Sequence, residues 1–100
     1  MRVQFTLSGG IVGAVRQCTL DTSSMDADEA RALEALVRNA GLSASGEQRS
    51  ATGRDLEEYE LSIDDGHDSV TVVRDQSTLT PEARALVAYL KKRATPAKLK

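Results

Sequence analysis

The sequence predicts an α+β fold: an antiparallel sheet of about four strands with two helices on one face, in the order β-β-α-β-β-α. Three observations predict it. Stretches such as Val3-Gln4-Phe5-Thr6-Leu7 and Tyr59-Glu60-Leu61-Ser62-Ile63 alternate apolar and polar residues at the period of a half-buried strand. Two other stretches repeat apolar residues at helical spacing between start and stop signals. The outward residues of the first and third strands are polar, which fits a sheet covered on one side only.

The first strand spans residues 2–7, with Val3, Phe5 and Leu7 inward and Gln4 and Thr6 outward. Ser8-Gly9-Gly10-Ile11-Val12-Gly13 follows as a hairpin tip, and the chain returns in a second strand near residues 14–21. Adjacent glycines suit a turn or bulge. Ile11 and Val12 then have two readings: folded back into the core, or offered as an apolar loop on a stiff stem to a partner's groove. On the second strand Cys18 and Leu20 share a face. Cys18 reads as a small core residue, since only Arg16 nearby would favour a thiolate.

Asp21-Thr22-Ser23-Ser24 breaks the strand. The first helix opens at Asp26, with Glu29 three residues on in a capping-box-like pair and an acidic first turn facing the positive end of the dipole. Ala30, Leu33, Leu36, Val37 and Ala40 form its apolar stripe. Gly41 supplies the left-handed residue that ends it, and Leu42 is placed to close on Val37. Residues 43–55 hold nothing apolar larger than Ala and read as a mobile loop. A third strand, 56–63, turns at Asp64-Asp65-Gly66 into a fourth, 69–74. The second helix starts at Thr80-Pro81-Glu82, with Thr as N-cap and Pro at the first helical position. Ala83, Leu86, Val87 and Leu90 face the core, and Lys91, Lys92 and Arg93 lie at the negative end of the dipole.

A chain of 100 residues fits one domain, 1–94, followed by a flexible C-terminal tail, 95–100. The net charge of −2 is small, and Phe5, Tyr59 and Tyr89 are all the aromatics. Without a basic stripe or stacking rings, nucleic-acid binding is not expected. The single Cys18 precludes an internal disulfide and fits a reducing compartment. The N-terminus alternates rather than running apolar, so no secretory signal or membrane span is expected and the chain reads as cytoplasmic.

No catalytic constellation assembles, and the expectation is a non-enzyme with no cofactor. His67 follows a turn, and Asp64, Asp65 and Asp68 lack the glutamate spacing of a calcium loop, so no metal site of its own is expected. Ser8-Gly9-Gly10 precedes no helix and cannot cradle a phosphate. A binding module remains.

Ser8-Gly9-Gly10-Ile11-Val12-Gly13, Leu20-Asp21-Thr22, the helix with Glu29-Ala30 and Leu33-Glu34-Ala35-Leu36-Val37, then Tyr59-Glu60-Leu61, Asp65-Gly66 and Val70-Thr71-Val72 resemble the emfourin family. These are small bacterial protein inhibitors of protealysin-like metallopeptidases, zinc enzymes of the thermolysin type. The loop Leu42-Ser43-Ala44-Ser45 departs from the family in lacking bulky apolar residues. The resemblance implies inhibition from two neighbouring loops. One fills the enzyme's apolar substrate pocket, and the other offers an aspartate to the open fourth position of the zinc, displacing its water. Mapped onto this chain, Gly9, Gly10, Ile11 and Val12 are the apolar loop.

The aspartate follows from topology rather than from a motif. If the first helix runs back along the sheet from the far end of strand two, the third strand begins beside the Gly9-Gly10 tip. Asp75, ending the fourth strand, then lies near that tip, as does Asp55. If the long loop crosses the sheet first, Asp64 and Asp65 take that place. Asp75 is the first choice, and its alternative role is a cap or turn. The expected partner is a thermolysin/protealysin-like metalloprotease, with the free inhibitor a monomer. The alternative function is a non-inhibitory interaction domain, with homodimerisation through the open sheet face or an edge strand as one form of it.

Overall fold

Alternation decides the sheet. The computed structural model describes residues 1–9, 15–42, 46–48 and 57–96. In it Val3, Phe5 and Leu7 of β1 (Arg2–Gly9) are buried, while Arg2 and Gln4 are exposed. β2 (Arg16–Asp21) and β4 (Glu57–Asp64) flank β1 in antiparallel register, so Leu7 lies between Arg16 and Tyr59, and Gly9 opposite Glu57. β5 (Ser69–Asp75) returns from the Asp64-Asp65-Gly66 hairpin and pairs with β4. At that turn Gly66 has φ 95°, and Asp65 Oδ1 accepts from the amides of His67 and Asp68, both at 2.8 Å.

Two short strands add to the four expected. β3 (Gly46–Gln48) runs parallel to β5 on its outer edge, and β6 (Thr95–Pro96) pairs with Arg16 and Gln17 of β2. The full order is β3-β5-β4-β1-β2-β6, five antiparallel strands with β3 parallel at one edge. Part of the expected mobile loop and the start of the expected tail are thus in the sheet. Both pieces are held by edge pairing of the backbone, which needs no apolar alternation and leaves no such signal.

The helices α1 (Ala27–Ala40) and α2 (Pro81–Lys91) cover one face. Asp26 caps α1 by accepting from the Asp28 amide, and Gly41 ends it at φ 67°, its N–H bonded to the Arg38 carbonyl. Thr80 caps α2 through the Ala83 amide at 3.1 Å. Leu33, Val37 and Ala40 meet Leu86, Val87 and Leu90 over Val3, Phe5, Leu61, Ile63 and Val72 in one core. Phe5 and Tyr59 stack within it, 6.1 Å between centroids.

One expectation about direction is corrected. α1 does not run back along the strands. It starts beyond the Asp21 end of β2, and its far end, Val37 to Leu42, shares a groove with Met1, Ile63, Asp65 and Val70. Both of its ends therefore lie at the Arg2 end of the sheet. Its 14 residues span about 21 Å, enough to cross four strands. α2 lies across the other end, from Gln76 beside β5 to Ala94 beside β2. Helix direction follows the packing of the two apolar stripes on each other, which periodicity within one helix does not specify. It is β3, parallel to β5, that carries the chain back toward the Gly9 end.

Candidate functional site

Gly9 is the last described residue of β1, and its φ of 81° is a left-handed conformation that favours glycine. Gly10, Ile11 and Val12 lie outside the described residues, as does Asp55. On the returning side Val15 is an exposed large apolar residue, 38% accessible, immediately before β2. The described borders of the tip are thus a glycine in a left-handed turn and an uncovered valine.

The aspartates separate by end. Asp64 is opposite Arg2, so Asp64 and Asp65 sit at the end of the sheet remote from Gly9. Asp75 pairs with Glu58, which pairs with Ser8, placing it at the Gly9 end two strand spacings from β1, about 10 Å. Its side chain has local work. Oδ1 accepts from the Ser77 amide at 2.9 Å, the Ser77 hydroxyl at 2.8 Å and the Thr78 amide at 3.1 Å. The Asp75 amide donates to Thr78 Oγ1, and the residue is 5% exposed. Asp75 therefore closes a side-chain-to-backbone turn after β5.

A polar cluster that sequence reasoning missed lies under the same end. Lys91 Nζ donates to Glu57 Oε1 at 2.8 Å, and the Tyr59 hydroxyl donates to the same oxygen at 2.9 Å. The Glu57 amide donates to Gln76 Oε1. On the β2 side, the Arg16 guanidinium donates to the Ala94 carbonyl at 2.9 Å. The hydrogen bond from Lys91 holds the Glu57 carboxyl below its ordinary range, against the burial that raises it. Burial, then the bond to Glu57, pushes the Tyr59 phenol up. The signal for this cluster was present: Glu57 shares a strand face with Tyr59, Leu61 and Ile63, and a charge on an apolar face requires a partner. Beside it, Tyr59, Gln76, Leu79, Arg84, Val87 and Lys91 line an open groove of about 350 Å³.

Cys18 is half-buried, its Sγ 3.7 Å from the Leu90 carbonyl, and burial pushes its thiol up, away from nucleophile chemistry. Among the described residues no three His, Cys, Asp or Glu side chains group to hold a metal ion. No helix among them is long and apolar enough to cross a membrane. What this end of the molecule offers, among the described residues, is a positive-φ glycine and an exposed valine on strands braced by polar contacts. Neither a curated protein nor a solved structure matches the chain. The family model described as Emfourin matches residues 5–91.

Proposed function

The chain belongs to the Emfourin family, a family of protease inhibitors, and on that premise we propose that it inhibits a thermolysin/protealysin-like zinc metalloprotease. The observation that carries the reading is the family match, which runs from within β1 to the end of α2 and includes residues 9–15. In this reading Gly9, Gly10, Ile11 and Val12 enter the active-site cleft, and the apolar side chains fill the pocket that selects bulky apolar substrate residues. The left-handed Gly9 and the uncovered Val15, which border residues 10–14, support it. The protein acts as a monomer in the cytoplasm, where Cys18 stays a free thiol.

Asp75 is the described aspartate at this end, and we assign it the zinc-directed carboxylate. Offering that group to a metal means releasing Ser77 and Thr78, so the turn opens as the complex forms. The exchange is one of charge-assisted hydrogen bonds for a metal bond in a water-excluded site.

The test is titration of thermolysin with the purified chain. Stoichiometric loss of peptidase activity is expected, and full activity at a molar excess would overturn the reading and leave a non-inhibitory interaction domain. Ile11→Ser with Val12→Ser should keep the fold and weaken inhibition by about tenfold or more. If that double variant unfolds, the tip is core.

A further inference from the structure

We propose that the C-terminal end of α2 and the residues just after it clamp the two strands on either side of β1, the strand that leads into the inhibitory tip, with Glu57, Lys91, Tyr59 and Arg16 as positioning residues; the proposal rests on the inhibitor reading above. The tip connects β1 to β2, and β1 is hydrogen-bonded between β2 and β4. Each of these outer strands is tied, through two residues of its helix-facing side, to the stretch 90–94 that ends α2 and follows it. From β4, Glu57 receives Lys91, and Tyr59 donates to Glu57 beneath it. From β2, Arg16 donates to the Ala94 carbonyl and Cys18 to the Leu90 carbonyl. Ala94 lies three residues past α2, and its own amide returns to the Leu90 and Lys91 carbonyls, so Arg16 ties β2 to a segment fastened back onto the end of the helix.

The register makes the ties converge. Arg16, Leu7 and Tyr59 form one cross-strand row, and Gly9 with Glu57 forms the next row of the same face toward the tip. The clamp thus sits at the last two helix-facing rows of β1. A half-buried ion pair adds little stability over a well-packed apolar pair, but it is directional. Glu57 accepts from two donors at one oxygen while its own amide reaches Gln76, which also joins β4 to the Asp75 turn. Both parts of the proposed recognition surface are therefore braced from one side. Holding the stem before binding lowers the ordering cost of the complex.

The experiment compares Lys91→Met, Lys91→Arg, Glu57→Gln and Arg16→Met with the parent chain. Measured are the inhibition constant and dissociation rate against thermolysin, and amide hydrogen exchange of the peptides covering residues 7–9 and 15–17. Lys91→Met and Glu57→Gln should raise the inhibition constant roughly threefold to tenfold through faster dissociation, and speed exchange at the stem, at temperatures where each variant is fully folded. Lys91→Arg should restore both readouts, which a purely stabilising role would not require. Inhibition and exchange equal to the parent in Lys91→Met, Glu57→Gln and Arg16→Met would overturn the clamp. If the parent does not inhibit thermolysin, the inhibitor reading falls, and stem exchange alone still decides whether the clamp exists.

Discussion

Glu57 and Asp75 are both acids at the Gly9 end, yet they respond differently to change. Glu57 is held below its ordinary range by Lys91 and Tyr59, so its contribution to stability is complete above the ordinary glutamate range. It is lost as pH falls through the lowered value. Tyr59 is raised, so its contribution is complete below the ordinary tyrosine range and is lost as pH rises past it. Denaturant midpoints should therefore decline below about pH 4 and above about pH 10. Glu57→Gln should flatten the acid limb and Tyr59→Phe the alkaline one; limbs that keep the parent's slopes would show that neither group is coupled to folding. Asp75→Ala leaves the Ser77 amide and hydroxyl without their acceptor, while the Thr78 amide keeps the Asp75 carbonyl. A loss of about 1–3 kcal/mol is expected by urea unfolding. Asp75→Asn retains one acceptor oxygen and should recover much of it.

At the scale of elements, α1 tests how well a stripe predicts burial. Of the five apolar positions, Leu33, Val37 and Ala40 are buried while Ala30 and Leu36 are half-buried. Leu33→Ala should cost about 2–4 kcal/mol and Leu36→Ala clearly less, measured by thermal or urea unfolding. Equal losses would mean that the stripe is centred elsewhere. Caps, the four main strands, the DDG turn and the helical core faces were legible because each is written in local chemistry. β3 and β6 were not, because edge pairing uses backbone groups that every residue carries. The direction of α1 was not legible either, because it depends on α2. At the site, Asp75 does lie at the Gly9 end, although the helix path argued for it is not the one the chain takes. Glu57 carries a signal of its own, as the one charge on the face it shares with Tyr59, Leu61 and Ile63.

For the molecule as a whole, the crosswise helices divide the sheet into two ends with different tasks. α2 governs the end that holds Gly9, and α1 the end that holds the Asp64-Asp65-Gly66 hairpin. Gly9 and Gly66 allow a matched comparison, since both have positive φ, 81° and 95°. A Cβ on Gly66 would meet nothing within 4 Å, so Gly66→Ala isolates backbone strain. Each alanine variant should lose about 1 kcal/mol of stability. Gly66→Ala should inhibit thermolysin like the parent, whereas Gly9→Ala should weaken inhibition. Equal inhibition by the two would place the recognition surface away from the Gly9 end.

The exposed hairpin at Gly66 and His67 also determines how the molecule is best attached to a solid support. His67 contributes its backbone amide to the turn, so His67→Cys leaves that bond to Asp65 in place. Cys18 is half-buried, with its thiol pushed up. A maleimide resin near neutral pH should therefore couple through position 67 first. Every immobilised copy would then stand with Gly9 facing the solution, an orientation suited to retaining a peptidase from a flowing sample.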